Sequence, residues 1–325
     1  MITKNNNFII IKQIIKLLNI IFAKNKAKLL IIIIYFLIQI KIRMLSKLKI
    51  LICTIAKQEN KYINEFVDHY RKMKIKTIII YDNNDINGEK FDDILKNDIN
   101  NHFIKIINIR GIKHPQIMVI NDCYQKYNKS YDWIAFYDID EFLYINHFHN
   151  LNTFLSLSKF KKCQSILINW KYYGDNDKLY YEPKPLKQRF IKAVPEIKIK
   201  SNKYLNSAAK TIIRGGLKTI INWGLFPHYI KNVINCRPDG NITTNYFSHP
   251  QHSIAYIKHY LTKSTEEFIE RINRGDVNCH VNINYIKDRI NKYYFLFNKK
   301  TKEKLNLFQQ KIKYNYRFQL LKYIK

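Results

Sequence analysis

From Lys49 onward the chain is built of short apolar runs separated by amphipathic ones. Lys49–Ala56 (KILICTIA) is almost wholly apolar and of strand length, which predicts a buried strand. Glu65–Met73 predicts a helix with Phe66, Val67 and Tyr70 on one face. Thr77–Tyr81 (TIIIY) predicts a second strand that ends at Asp82. A helix over Phe91–Ile99, a strand over Ile104–Ile109 and a helix over Met118–Tyr127 follow. A fourth strand, Trp133–Tyr137 (WIAFY), runs straight into Asp138-Ile139-Asp140-Glu141. Strands alternating with helices imply an α/β fold: a mostly parallel sheet, right-handed crossovers and helices on both faces. Ligands of such sheets gather beyond the carboxyl ends of the strands, so Ala56, Asp82 and Asp138 should converge. After Asn150 the pattern loosens. It predicts a strand over Ser165–Trp170, a helix over Ser253–Arg274 and a helix over Lys302–Leu321, with no internal repeat.

The stretch before Lys49 has a different character. No acidic residue precedes Glu59. Phe8–Phe22 (FIIIKQIIKLLNIIF) sets Lys12, Lys16 and Asn19 in one polar stripe on an apolar helix. Leu29–Ile40 is nearly all apolar but shorter than the roughly 20 residues of a bilayer span. Lys24, Lys26, Lys28, Lys41 and Arg43 flank it, and no small-residue cleavage site follows. An interfacial anchor on an anionic membrane surface fits these features, with a helix packed on the domain as the alternative. The chain therefore divides into a basic hydrophobic segment (1–48), a central α/β domain (49–275) and a basic, helical extension (276–325).

Composition narrows the class. Of 325 residues, 46% are hydrophobic and 14% aromatic, which excludes a disordered chain. The formal net charge of +31 attracts polyanions such as nucleic acid, anionic lipid or phosphorylated substrates. An AT-rich codon bias toward Lys, Asn and Ile accounts for it equally well. Cys53, Cys123, Cys163, Cys236 and Cys279 are odd in number, widely spaced and free of CxxC pairs. That pattern argues against a disulfide framework or zinc site and for reduced thiols in a cytoplasmic protein, held at the inner face of the membrane by its first segment.

The acids at Asp138, Asp140 and Glu141 carry the chemistry. Residues two apart on an extended segment face the same side, so Asp138 and Asp140 can share one cation. Mg²⁺ and Mn²⁺ prefer carboxylate oxygen and bridge to substrate phosphates. Three carboxylates gathered in a chain short of acids are poorly explained as a solvated turn. His228, His249, His252 and His259 are possible ligands or phosphate contacts. The His249–His252 gap could serve zinc, but no cysteine lies near.

The string Trp133 to Leu143 (WIAFYDIDEFL) resembles the metal-binding segment of GT-A glycosyltransferases, in particular family 92 and its family-2-like relatives. Other segments agree in order. Ile52–Glu59 (ICTIAKQE) resembles the first strand and its nucleotide-contacting turn, and His69-Tyr70-Arg71 with Ile80-Tyr81-Asp82-Asn83 resembles the next helix and strand. Gln116 and Asn121-Asp122-Cys123 resemble the helix before the metal motif. Trp170–Gly174 resembles an acceptor-side element, and Lys210-Thr211-Ile212 a lysine-led strand. His259-Tyr260, Lys263-Ser264, Glu266-Glu267-Phe268 and Arg274-Gly275 resemble the closing segment. The resemblance implies transfer of a sugar from a nucleotide-sugar, with UDP as its nucleotide, to a hydroxyl of a glycan or lipid-linked acceptor, in the assembly of surface polysaccharide. It implies Mn²⁺ or Mg²⁺ on Asp138, Asp140 and His259, with Glu141 beside them. Donor contacts fall at Thr54, Ala56, Glu59, Asp82, Asn121, Asp122, Lys210 and Lys263. Asp175 is the candidate general base. The competing readings are a basic nucleic-acid-binding protein, which lacks a recognisable reading motif, and a nucleotidyltransferase using the same carboxylates.

Overall fold

A computed structural model describes residues 48–312, apart from 149, 197, 200–202, 219–226, 246, 248 and 276–281. The apolar runs Phe8–Phe22 and Leu29–Ile40 lie outside the described residues. Among those described, no helix is long and apolar enough to cross a membrane.

The first half follows the alternation of the sequence. β1 (Ile50–Ala56), α1 (Ile63–Lys72), β2 (Thr77–Asp82), α2 (Lys96–Asn100), β3 (Ile104–Asn108), α3 (Gln116–Tyr127) and β4 (Trp133–Phe136) form successive crossovers. Their strands lie parallel in the order β3-β2-β1-β4. Because side chains alternate across a strand, β1 and β2 supply two cores. Ile50, Ile52, Ile78 and Ile80 pack against Ile63, Phe66, Val67 and Tyr70 of α1. Leu51, Cys53, Ile79 and Tyr81 pack against Val119, Ile120, Cys123 and Tyr124 of α3. Helices thus cover both faces, as expected.

Beyond β4 the sheet becomes mixed. β5 (Glu141–Ile145), α4 (Leu151–Leu155), β6 (Ser165–Tyr172), α5 (Leu186–Arg189), the small pair β7 (Lys198–Ile199) and β8 (Lys203–Tyr204), β9 (Ala209–Arg214), β10 (Asn235–Cys236) and β11 (Ala255–His259) follow. β9 runs antiparallel between β4 and β6, and β11 lies between β6 and β5. The helix expected over Ser253–Arg274 is corrected: its first part is β11 and only Thr265–Arg274 is helical, as α6. Ala255, Ile257 and His259 are buried in alternation, a period of two that the surrounding charges obscure. The helix expected over Phe91–Ile99 shortens to α2, with turns before it.

Residues 282–312 pack onto α6. α7 (Ile283–Asp288) continues through a π-helical turn (Arg289–Tyr294), and α8 (Lys302–Lys311) closes the layer. Phe268, Ile269 and Ile272 share one core with Ile286, Ile290, Tyr294, Leu307 and Phe308. The expectation of reduced, unpaired thiols is overturned. Cys163 and Cys236 form a disulfide across a Cα separation of 5.7 Å, and the Cys53 and Cys123 thiols lie side by side across 6.6 Å. Spacings of 70 and 73 residues look unpaired in sequence, yet packing of α3 on β1 and pairing of β10 with β6 bring them together.

Candidate active site

β4 ends in a tight turn rather than an extended segment, with the Glu141 amide donating to the Asp138 carbonyl at 3.0 Å. Asp138 and Asp140 nevertheless both line a cleft of about 720 Å³ at the carboxyl end of the parallel strands. The Asp138 side chain is 43% exposed, whereas Asp140 and Glu141 are buried. Buried acids require partners, and each has them. Lys210 of β9, itself buried, donates to Asp138 Oδ2 at 2.8 Å and lies 3.3 Å from Glu141 Oε2. Burial pushes the Asp138 carboxyl up, but the Lys210 charge wins and holds it below the usual range. Asp140 Oδ2 accepts from Arg271 at 2.8 Å and from Lys263 at 3.4 Å. Against its burial, Lys263, His259 and Arg271 hold it far below the ordinary carboxylate range.

Glu141 is enclosed. Its carboxylate accepts from Trp170 Nε1 at 2.9 Å and from the Asp138 amide at 3.1 Å. Burial drives its pKa well up, against the pull of Lys210 and with the push of Asp138. Glu141 therefore fixes Trp170 and the turn instead of facing the cleft. His259 Nε2 lies 3.6 Å from Asp140 Oδ1, and its Nδ1 is buried without a partner. Burial lowers the imidazole to about 3, so it is neutral at physiological pH. His228 is held at about 4 by burial and the Lys210 charge, with Nδ1 on the Ala209 carbonyl at 2.8 Å.

The other expected residues divide. Glu59 lines the cleft, and Arg274 donates to it at 2.8 Å and to the Lys57 carbonyl. That contact ties the loop after β1 to the end of α6. Thr54 lies just behind the cleft with Asp138 and Lys210, its hydroxyl buried without a partner. Ala56 is buried at the strand end. Asp82 is buried and fully occupied: Arg110 Nη2 lies 2.7 Å from it, and Asn84 donates through both its amide and side chain. Asp122 is held on α3 by Tyr81 OH at 2.6 Å and Lys126 at 2.7 Å, and Asn121 beside it does not line the cleft. Lys210 serves the acids and does not line the cleft, and Lys263, at φ +50°, serves Asp140.

Asp175, the candidate general base, does not line the cleft. It is buried away from the cleft in an ion pair with Lys304 at 2.6 Å, and Tyr294 OH donates to it at 2.5 Å. Gly174 makes room for this: a Cβ there would meet Asn298 Oδ1 at 2.7 Å, and that oxygen accepts from the Asp175 amide. Asp175 anchors the C-terminal helices. His249 and His252 lie outside the cleft lining, with His252 on the Trp170 carbonyl at 2.9 Å.

Sequence reasoning missed Lys57, Lys113, Arg271 and Arg289, which line the cleft. Arg271 and Arg274, three apart on an amphipathic helix after Lys263, were the available signal. Among the described residues, no set of three or more His, Cys, Asp or Glu converges as a metal site. Asp138 and Asp140 instead turn toward cations. A half-exposed carboxylate, a second acid and the neutral imidazole Nε2 3.6 Å from it are still donors of the kinds that suit Mn²⁺ or Mg²⁺.

A β-α crossover sheet with acids and bases facing one another at its strand ends is a frame for handling a phosphorylated ligand. The model of glycosyltransferase family 92 matches residues 49–311, and the chain belongs to that family. No curated protein matches it. Among solved structures, it is similar to S. aureus TarS, at 11% identity and TM-score 0.39, covering 82% of this chain and 50% of that one. The chain thus spans half the length of that relative. The TarS 1-349 structure in complex with UDP matches at 12% identity and TM-score 0.36, over 85% and 86% of the two chains. GalNAc-T7 with UDP, GalNAc and Mn²⁺ matches at 16% identity and TM-score 0.30, over 51% and 35%.

Proposed function

We propose that the protein moves a sugar from a nucleoside diphosphate-sugar to an acceptor hydroxyl, with a divalent cation at Asp138 and Asp140. The observation that carries this reading is the cleft itself: two acids on the turn after β4 stand among Lys57, Arg271 and Arg274. Asp138, Asp140 and His259 Nε2, the ring nitrogen that faces Asp140, would hold Mn²⁺ or Mg²⁺. When bound, the cation neutralises charge on the departing diphosphate. Lys210 keeps Asp138 ionised, and Lys263 and Arg271 keep Asp140 ionised, so both are ready as oxygen ligands at neutral pH. The Glu59–Arg274 contact shapes the loop after β1 that receives the nucleotide. In the transfer, the acceptor oxygen bonds to the anomeric carbon as the bond to the diphosphate breaks. The electron pair leaves with the diphosphate and the hydroxyl proton is released. The acceptor is a glycan or a lipid-linked sugar, in surface polysaccharide assembly. Residues 1–48 hold the enzyme on an anionic membrane surface.

The test is a panel of UDP, GDP and oligonucleotides in thermal unfolding, each with and without Mn²⁺. Metal-dependent stabilisation by one nucleoside diphosphate is expected. Salt-sensitive stabilisation by any oligonucleotide instead would refute the reading. Asp138→Ala should abolish transfer while the protein stays folded, with a lowered Tm because the buried Lys210 keeps only Glu141, 3.3 Å away, as its counter-charge. Loss of a metal ligand removes roughly several kcal/mol of leaving-group stabilisation.

A further inference from the structure

The acids of the turn after β4 are matched by protein cations before anything enters the cleft. Lys210 lies 2.8 Å from Asp138 and 3.3 Å from Glu141. Arg271 and Lys263 lie 2.8 and 3.4 Å from Asp140. Three carboxylates thus face three cations, and all but Asp138 and Arg271 are buried. The remaining acids on the cleft lining are also taken, Glu59 by Arg274 at 2.8 Å and Asp85 by Lys57 at 2.8 Å. Lys113 and Arg289 on the same lining add positive charge. A divalent cation entering alone would find no unmatched negative charge, and a charge without its counter-charge is costly in such surroundings.

We propose that this cleft takes its cation only together with the nucleoside diphosphate, as one complex, and that Arg271 passes from Asp140 to the diphosphate when the complex enters. The proposal rests on the reading above, with the cation at Asp138 and Asp140. A diphosphate supplies the missing negative charge, and with a divalent cation it forms a pair that is close to neutral. Mg²⁺ in particular is commonly held by one or two carboxylates plus substrate phosphates, not by a cage of protein ligands. Of the three cations, Arg271 alone lines the cleft. Its side chain is 25% exposed, against 1% for Lys210 and 7% for Lys263. The guanidinium fork fits phosphate oxygens as well as carboxylate oxygens, so it can exchange one for the other. Arg274, three residues further along α6, is held by Glu59 and by the Lys57 carbonyl. The helix therefore keeps its place while the Arg271 side chain turns. Once Arg271 has left, Asp140 keeps only Lys263 among these cations and can meet the incoming one.

The test is Mn²⁺ binding followed by electron paramagnetic resonance, on the full chain alone, with UDP and with GDP, each against the same mixture without protein. One nucleotide should tighten Mn²⁺ binding by the protein about tenfold or more, and Mn²⁺ should tighten that nucleotide by the same factor, since coupling is reciprocal. Arg271→Gln removes one positive charge beside Asp140. It should bind Mn²⁺ without nucleotide about tenfold more tightly than wild type and gain less when nucleotide is added. Mn²⁺ bound equally tightly with and without nucleotide would overturn the proposal, as would an Arg271→Gln protein that binds Mn²⁺ alone no better than wild type. Should Arg271→Gln not fold, the wild-type titrations still decide the coupling. Mn²⁺ bound in none of the three conditions would defeat the cation reading itself, and the proposal with it.

Discussion

Replacing Asp175 with Asn separates a structural role from a catalytic one. Its carboxylate and the Lys304 ammonium are 3% and 2% exposed and 2.6 Å apart. Tyr294 OH and the Asp177 amide complete its shell at 2.5 and 2.9 Å. Asn keeps the volume but leaves the buried Lys304 charge with only the exposed Asp177 carboxylate, 3.3 Å away, as counter-charge. Removing one partner of such a pair costs about 3–5 kcal/mol. At roughly 2–4 °C per kcal/mol for a domain of this size, Tm should fall by about 6–20 °C. Lys304→Met should cost a similar amount, and Asp175→Leu/Lys304→Met should cost clearly less than the sum, because no lone charge remains. Thermal unfolding followed by near-UV circular dichroism reads these shifts. Transfer measured well below each midpoint should stay near wild type in Asp175→Asn. An unchanged Tm with transfer reduced by orders of magnitude would show that Asp175 acts on the acceptor hydroxyl and that the buried-pair argument is wrong.

Other outcomes are open to direct measurement. Burial holds His69 at about 4, below its ordinary value of 6.5, with its Nε2 on the Leu143 carbonyl at 2.8 Å. The unfolded chain therefore takes up the proton first. His69 contributes full stability above pH 6.5 and loses it as pH falls toward 4, about 2 kcal/mol between pH 7 and 5. His69→Gln should remove that part of the pH dependence of the urea midpoint, and an unchanged slope would refute it. Glu59→Ala and Arg274→Ala break one contact and should both raise donor KM more than they lower kcat. A fall in kcat alone would place the pair at the reacting carbon instead. A chain beginning at Ser46 should lose binding to anionic liposomes that the full chain shows. Equal behaviour of the two would leave residues 1–48 as an ordinary packed segment.

Most of the parallel half of the fold was legible because β1, β2 and β4 are nearly all apolar and α1 and α3 amphipathic, so periodicity separates them. The acids were legible because Asp138 and Asp140 follow such a strand directly. The burial of Asp175 was not legible, because sequence order only places it after the Trp170–Gly174 element. Nothing in that order shows that Lys304 arrives from the far end of the chain to bury it. β11 was hidden for a related reason. Its buried Ala255, Ile257 and His259 alternate with Tyr256 and Lys258, which are half-covered by the neighbouring strands. The partners of Asp140 were invisible as such, since Arg271 and Lys263 count as solvated charges until α6 is folded over the turn.

The placement of β11 has a consequence for how the enzyme is born. β5 carries Glu141 at its start, and its one partner in the sheet is β11. β9, which brings Lys210 to Asp138, is likewise inserted beside β4 by a later part of the chain. On the ribosome, the parallel half can form as soon as β4 has emerged. Asp138 meets Lys210 once β9 is made, but Asp140 then waits on the order of ten seconds after β4 before Lys263 and Arg271 are synthesised. A nascent chain stalled before His259 would hold a nearly complete nucleotide-side sheet but neither cation on Asp140. The charge balance of the turn is thus completed only once α6 has been made, and a chain ending before Lys263 lacks both of the cations that meet Asp140.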